Sequence, residues 1–212
     1  MKLLLPKKAE VFHKLFSKVD KEVLNDMMSA VMKTKSKVAD IELESYEDVT
    51  ASGEYITPDF KVTLEDGAEY HIELEQCFYP EIIDRTTYHL ESRYLAQGEK
   101  NMDYNDFKKI AVVVILDYTI ENLKEFERPD TMWHISEEET GQMLTDIMEM
   151  QFFELPKLYD AYKKEPDSLK YQWLMFLNAP DSEEVMNIIK ENKYIREAMN
   201  VLEQISCETT LI

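Results

Sequence analysis

Five residues of types that bind cations or transfer protons fall at alternate positions of two neighbouring segments: Asp59, Lys61, His71, Glu73 and Glu75. If both segments are β-strands, side chains two residues apart project from the same face, so the five can share one face. Carboxylates gathered in this way repel one another unless water, protons or a cation separates them. Oxygen ligands with no cysteine and little histidine suit Mg²⁺, Mn²⁺ or Ca²⁺ better than Zn²⁺. The other interpretation is a solvated acidic strand face.

The turn between the two segments decides which of these residues meet. A two-residue loop would set Asp59 beside a leucine and mix polar with apolar side chains, which a half-buried hairpin resists. A three-residue loop that ends at Gly67, with this glycine in the left-handed conformation, pairs Leu64 with Ala68. Asp59 then lies opposite Glu73. We predict this second register, because it places every apolar residue of the hairpin on one face.

The hairpin needs a larger fold around it, and hydrophobic periodicity predicts the elements of that fold. Helices are predicted over residues 8–18, 21–34, 80–100, 157–164, 168–178, 182–191 and 193–206. Strands are predicted over residues 38–46, 58–64, 68–76, 110–116, 131–137 and 147–155, with a loop from 46 to about 55. This order indicates an α/β fold with a mixed central sheet flanked by helices over residues 1–155. A helical C-terminal extension over residues 156–212 is expected to pack on or beside that core.

Composition limits the class of protein. The chain has 212 residues and is 44% hydrophobic, which is enough for one substantial core. It has no apolar run of about 18 residues, so we expect no transmembrane helix. Two cysteines far apart in the sequence favour a reducing cytoplasm over a disulfide framework. Four glycines offer no glycine-rich phosphate loop.

Charge is unevenly distributed along the chain. The total is −19, which is the wrong sign for a protein that binds phosphate backbones non-specifically. Residues 1–37 nevertheless hold nine lysines and four acidic residues, a local charge of +5, so that the remainder carries −24. The two N-terminal helices can therefore form a basic contact surface on a repelling body. The other interpretation is that these lysines only solvate two amphipathic helices.

The remaining polar and aromatic residues favour packing over chemistry. The histidines show neither HxxxH nor HxH spacing: His13, His71, His89 and His134. A histidine metal site is therefore not expected, and His89 and Tyr88 on the long helix are predicted to be packing or rim residues. Trp133 and Trp173 are predicted to be core or subdomain anchors.

At the hairpin, the sequence resembles the PD-(D/E)XK nuclease superfamily, and more specifically the Rpn-like family of recombination-promoting nucleases and transposases. The resemblance follows an ordered series: EVFHKLFS at 10–17, PDFKV at 58–62, HIELE at 71–75, a helix with Arg85, Tyr88, Tyr94 and Gln97, the segment 103–116, and a helical tail with Ala198, Leu202, Glu203 and Ser206. It covers most of the chain, and it implies a restriction-endonuclease-like fold.

The resemblance also implies roles for individual residues. Asp59 and Glu73 would coordinate one or two divalent cations, Mg²⁺ or Mn²⁺, that assist phosphodiester hydrolysis. Glu75 stands where the superfamily usually has lysine and this family often has glutamine, so it would act as a base or as a third metal ligand. Lys61, on the face of Asp59, would replace the missing lysine. Accessory roles are assigned to Glu10, His71, Arg85, Tyr88 and Gln97.

Motif and resemblance together predict a divalent-metal-dependent DNA endonuclease linked to recombination or transposition. DNA is the expected partner, through the basic N-terminal helices. A homo-oligomer is a further expectation, and no membrane partner is expected. The departure at Glu75 and the negative net charge keep an alternative open, in which the nuclease fold persists without cleavage and serves interaction or oligomerisation.

Overall fold

The computed structural model describes residues 2–42, 48–49, 55–56, 60–98 and 103–210. Within these ranges the strands are β1 (Val38–Glu42), β2 (Asp48–Val49), β3 (Tyr55–Ile56), β4 (Phe60–Leu64), β5 (Glu69–Glu75), β6 (Ile110–Leu116), β7 (Asp130–Ser136) and β8 (Met143–Glu154). The α-helices are α1 (Ala9–Phe16), α2 (Lys21–Val31), α3 (Ile82–Ala96), α4 (Leu158–Lys164), α5 (Leu169–Asn178), α6 (Glu183–Glu191) and α7 (Lys193–Thr210).

Most predicted elements are confirmed to within a few residues at their ends. Strand β6 occupies the predicted residues, and the four helices predicted for the C-terminal extension are present as α4 to α7. Strand β8 starts earlier than predicted because its first residues extend the hairpin with β7, where Met143 pairs with Ser136. The predicted loop to residue 55 contains the short pair β2–β3. Residues 43–47 and 50–54, which the predicted strand and loop include, lie outside the described residues.

A six-stranded mixed sheet forms the centre of the protein, in the order β1-β4-β5-β6-β8-β7. Strands β5, β6 and β8 run parallel to one another, whereas β1, β4 and β7 run antiparallel to their neighbours. Strand β6 lies between two parallel neighbours and is covered on both faces, which explains why all its residues are apolar and buried. The carboxyl ends of β5 and β6 meet at one edge of the sheet, where Glu75 lies beside Leu116.

Helices cover the two faces of the sheet unequally. The larger core joins one face, including Ile72 of β5, to α1, α2 and the C-terminal helices. The smaller core lies on the other face and includes Ile82 of α3. Residues before and after the predicted domain boundary contribute to the larger core; for example, Trp173 of α5 donates a hydrogen bond of 2.7 Å to Asp26 of α2. The C-terminal helices therefore pack directly on the core, and the boundary itself stays a prediction.

The predicted register of the β4–β5 hairpin is confirmed at the described pairs. Gly67 has a φ of +85°, and its N–H donates to the carbonyl of Leu64 at 2.9 Å. The N–H of Leu64 donates to the carbonyl of Ala68 at 2.9 Å, and further along the hairpin Lys61 lies opposite His71. Only glycine adopts this φ without strain, which fixes the three-residue loop. The odd-numbered, polar residues of β5 therefore lie on the face opposite Ile72, and Glu73 and Glu75 among them contact α3.

The two tryptophans differ in their surroundings. Trp173 is fully buried, whereas Trp133 is 40% exposed on strand β7, so the prediction of a core role is wrong for Trp133. Strand β7 is the last strand of the sheet, and the ring of Trp133 packs edge-to-face on Phe126 at its rim, with 5.9 Å between the ring centroids. Among the helices that the structure describes, none combines the length and hydropathy needed to span a membrane.

Candidate functional site

Glu73 lies on the side of β5 that faces α3, and it is only 1% exposed. Its Oε1 lies 2.7 Å from Nδ1 of His89, and its Oε2 accepts a hydrogen bond of 3.0 Å from Nη2 of Arg85. Both partners come from α3. A buried carboxylate is costly unless it is hydrogen-bonded and paired, and the two α3 side chains meet both requirements.

Arg85 contacts a second carboxylate as well. The same Nη2 atom donates to Oε1 of Glu75, and the guanidinium lies over the ring of Tyr79, 5.1 Å from its centroid. We call Glu73, Glu75, Arg85 and His89 the Glu73 cluster. In this cluster two carboxylates share one guanidinium, so the carboxylates outnumber the arginine that neutralises them.

The electrostatic balance of the Glu73 cluster favours ionised side chains. Burial alone would raise the pKa of Glu73, but the hydrogen bond and charge interaction with His89, followed by the charge of Arg85, outweigh burial and lower this pKa below its usual value. Burial alone would lower the pKa of Arg85, whereas Glu73 and Glu75 outweigh burial and raise it. The cluster therefore holds a charged carboxylate inside the protein.

Helix α3 presents this pair because of its residue spacing. Arg85 and His89 are four residues apart and so lie on one face of the helix, which Ile82 and Leu90 anchor in the smaller core. Tyr88 projects away from this face and is 57% exposed. His89 is buried, as expected of a packing residue, and its contact with Glu73 is an interaction that the prediction did not include. The spacing of Arg85 and His89, beside a strand with an acidic face, is the sequence signal that could have indicated the contact.

Two further residues of the predicted strand face have partners of their own. Nζ of Lys61 lies 2.7 Å from Oε2 of Glu42 on the edge strand β1. His71 is buried, and its Nε2 lies 3.5 Å from Oε2 of Glu69. Lys61, which was expected to replace the usual catalytic lysine, is therefore paired with a residue of β1. Its catalytic role stays a prediction.

The other two accessory residues, Glu10 and Gln97, lie in different parts of the fold. Glu10 is exposed in the first turn of α1, and α1 reaches the hairpin where the ring of His13 stacks on Phe60, 5.9 Å between centroids. Gln97 follows α3; its Nε2 donates to the carbonyl of Lys108 at 3.1 Å, and its Oε1 accepts from the Lys108 N–H at 2.8 Å. These bonds hold the chain that leads into β6. Roles of Glu10 and Gln97 in chemistry stay predictions.

Asp59 lies outside the described residues, and its pairing with Glu73 stays a prediction. Its neighbour in the sequence, Phe60, pairs with Ile72, which directly precedes Glu73. Among the residues that the structure describes, no group of three or more His, Cys, Asp or Glu side chains is arranged to hold a metal ion. The donor types nevertheless fit a hard divalent cation, because Glu73 and Glu75 supply carboxylate oxygens two residues apart on one strand face.

A cleft of about 290 Å³ opens beside the Glu73 cluster, between the chain that follows β5 and the chain that follows β6. Phe78 and Tyr118 line it and pack edge-to-face, with 5.3 Å between ring centroids. Phe78 is 66% exposed. Burial raises the pKa of Tyr118, so its phenol stays protonated at neutral pH. Ligands of open α/β sheets bind at the carboxyl ends of parallel strands, which is where this cleft lies.

A second buried glutamate lies on the opposite face of the sheet. Glu149 of β8 is 2% exposed and lies beside Ala111, a residue of the larger core. Its carboxylate bonds Nζ of Lys109 at 2.8 Å, lies 2.7 Å from Nε2 of His134, and accepts from the side-chain amide of Gln151. We call Glu149, Gln151, Lys109 and His134 the Glu149 cluster.

A mixed sheet flanked by helices, with buried carboxylates near the end of a central strand, places the protein among the restriction-endonuclease-like α/β proteins. The family described as PD-(D/E)XK nuclease family transposase matches residues 6–211, which is nearly the whole chain. The chain belongs to this family, and the resemblance seen in the sequence is confirmed. Searches of curated proteins and of solved structures give no match.

Proposed function

We propose that the chain is a divalent-metal-dependent endonuclease that hydrolyses phosphodiester bonds of DNA, in a process linked to recombination or transposition. Membership in a nuclease family supports the class of reaction. The observation that carries the proposal is Glu73, a buried carboxylate whose pKa is lowered by its partners, beside a second carboxylate at the end of β5. Perturbed carboxylates beside a cleft are frequent in active sites.

Asp59, Glu73 and Glu75 are the proposed ligands of Mg²⁺ or Mn²⁺, which when bound polarises the phosphodiester and water. His89 orients Glu73 through its 2.7 Å contact, as groups behind a metal ligand commonly do. Glu75 is less buried than Glu73 and is proposed to accept a proton from the attacking water. Lys61 is proposed to orient that water from the neighbouring strand.

The basic N-terminal helices are the proposed contact surface for DNA. Lys8 and Lys14 are exposed, and α1 lies against the start of β4 through the stacking of His13 on Phe60. This location puts positive charge near the strand that begins after Asp59. Local positive charge is needed because the rest of the chain repels a phosphate backbone.

Cleavage of plasmid and single-stranded DNA with Mg²⁺ or Mn²⁺ tests the catalytic proposal. We expect activity in the wild type, and a loss of at least about 100-fold in Asp59→Ala and Glu73→Gln, because each removes a proposed ligand. Glu149→Gln is the matched control, since Glu149 is as buried as Glu73 but lies on the other face. Equal activity in wild type and Asp59→Ala, or none in either, would reject the proposal.

DNA binding tests the contact surface separately from cleavage. The double variant Lys8→Glu/Lys14→Glu should weaken binding of a labelled duplex and reduce its dependence on salt concentration. Lys190→Glu on α6 is the control, because this lysine is also exposed but belongs to a different element. Binding that falls equally in both would show a general charge effect and count against a surface on α1.

A second candidate function is a nuclease fold without cleavage that serves interaction or oligomerisation. It is favoured by the occupation of both Glu73 oxygens by Arg85 and His89, and by a glutamate at the position of the usual lysine. This alternative requires a wild-type chain that binds no divalent cation. It also calls for a stable homo-oligomer, which light scattering of the purified chain would detect.

A further inference from the structure

We infer that Arg85 is an internal cation of the proposed metal site: without metal its guanidinium occupies the position between Glu73 and Glu75, and it moves aside when a divalent cation binds there. The inference rests on the proposed function, and it adds that the guanidinium of Arg85 competes with the divalent cation for Glu73 and Glu75.

The position of one nitrogen atom carries the first step. Nη2 of Arg85 lies 3.0 Å from Oε2 of Glu73 and also bonds Oε1 of Glu75. Glu73 and Glu75 would hold the cation, and His89 already contacts Oε1 of Glu73, so the Glu73 oxygen left for a cation is the one that Arg85 occupies. The guanidinium would therefore compete with such a cation.

The way in which Arg85 is bound carries the second step. Strong pairs of arginine and carboxylate are bidentate, with two nitrogens donating to two oxygens of one group. Here one nitrogen makes both contacts, and the buried Nε atom has no hydrogen-bond partner among the described residues. An unsatisfied buried donor costs stability. Arg85 makes as many hydrogen bonds as a bidentate pair but without its matched geometry, so charge contributes more than geometry to holding Arg85 in place.

The charge of the cluster carries the third step. Glu73 and Glu75 together bring two negative charges, and Arg85, the one permanent cation of the cluster, brings one positive charge. A divalent cation neutralises the pair fully, whereas the guanidinium alone does not. His89 contacts Oε1 of Glu73 and not the oxygen that Arg85 uses, so it can keep Glu73 oriented when Arg85 leaves.

The surroundings of Arg85 offer a second place for its guanidinium. The group already lies over the ring of Tyr79 at 5.1 Å, a contact that stabilises cations. Tyr79 lines the cleft beside the cluster, together with the acidic residues Glu81 and Asp84. A displaced guanidinium can therefore remain paired with negative charge near the site.

Calorimetric titration of the chelator-stripped full chain with Mn²⁺ tests the inference without relying on cleavage. Arg85→Ala should bind Mn²⁺ at least about tenfold more tightly than the wild type, because a competing charge about 3 Å from the ligands is gone. Arg85→Lys keeps the positive charge and should stay close to the wild type. Glu73→Gln should bind weakly, and Glu149→Gln should bind like the wild type.

The outcomes separate this inference from the proposed function. Equal or weaker binding by Arg85→Ala, with clear binding by the wild type, overturns the internal cation and leaves the nuclease proposal intact. Binding by neither protein overturns both. Binding by Arg85→Ala alone supports the internal cation and favours the function without cleavage.

A measurement on the wild type covers the case in which Arg85→Ala does not fold. The Nε–H signal of Arg85, followed by nuclear magnetic resonance during addition of Mg²⁺, should shift and saturate as the guanidinium is released. The same signal in Glu73→Gln should stay unchanged over that range. A wild type that binds Mg²⁺ by calorimetry while the Arg85 signal does not move contradicts the inference.

Discussion

Two of the buried glutamates of the sheet, one on each face, contact a histidine and have similar partners but different surroundings. Glu73 and Glu149 are 1% and 2% exposed, and each contacts a histidine nitrogen at 2.7 Å. Each also bonds one cation, Arg85 at 3.0 Å for Glu73 and Lys109 at 2.8 Å for Glu149. The fourth member differs, because a second carboxylate completes the Glu73 cluster and a neutral amide completes the Glu149 cluster.

This difference separates a cluster that needs a further cation from one that is already balanced. In the Glu149 cluster one lysine meets one buried carboxylate, and the nearby Asp146, at 3.6 Å from Lys109, is largely exposed and screened by water. In the Glu73 cluster a guanidinium serves two carboxylates. Location agrees with this distinction, since Glu73 lies towards the carboxyl ends of the parallel strands and Glu149 pairs near the start of β6.

Removing the positively charged side chain from each cluster should change the free energy of unfolding more than any other substitution that we propose. In the presence of a chelator, Arg85→Ala leaves Glu73 with His89 but buried beside the negative charge of Glu75, and we expect a loss of about 3–5 kcal/mol in unfolding free energy. Lys109→Ala leaves Glu149 with His134 and an amide, and the expected loss is about 1–2 kcal/mol. Urea unfolding measures both. Equal losses would contradict the distinction between the clusters.

Exchanging the fourth members should partly convert one cluster into the other. Gln151 is 1% exposed and bonds Glu149, so Gln151→Glu places two carboxylates in the Glu149 cluster and should cost about 2–3 kcal/mol without metal. Glu75→Gln removes the excess charge from the Glu73 cluster and should cost little or stabilise the fold in chelator. The same variant should weaken binding of Mn²⁺. Unfolding and calorimetry check these outcomes, and a strongly destabilised Glu75→Gln would show that Arg85 needs both carboxylates.

The sequence predicts the elements that local pattern controls. The unbroken apolar run of β6 indicates a strand covered on both faces, and Gly67 with the alternating hairpin residues indicates the register that the structure confirms. Contacts between distant elements leave a weaker pattern. The four-residue spacing of Arg85 and His89 places them on one helix face, but the strand that this face meets follows from how α3 packs on the sheet. The exposure of Trp133 likewise follows from the edge position of β7.

The two clusters should also lose their contributions to the free energy of unfolding at opposite ends of the pH range. These losses should be smaller than those caused by substituting the buried cations. The folded pKa of Glu73 is lowered, despite burial, by His89 and Arg85. Its stabilising contribution is therefore present above the unfolded pKa near 4.5 and is lost as pH falls through the lower, folded pKa. The pKa of Lys109 is raised, despite burial, by Glu149. Its contribution is present below the unfolded pKa of 10.5 and is lost as pH rises through the folded pKa.

Urea midpoints measured from about pH 7 down to about pH 3, and from about pH 9 up to about pH 12, test this separation. In Glu73→Gln the urea midpoint should fall less between about pH 7 and about pH 3 (the acid limb), because glutamine does not titrate. Its fall between about pH 9 and about pH 12 (the alkaline limb) should be unchanged. Lys109→Gln should flatten part of the alkaline limb only. Burial raises the pKa of Tyr70 as well, and that of Tyr171 to about 12, so both tyrosines keep a share of the alkaline loss. If the loss of stability at low pH is unchanged in Glu73→Gln, the pKa of Glu73 does not differ between the folded and unfolded states. The distinction between the two clusters would then be contradicted.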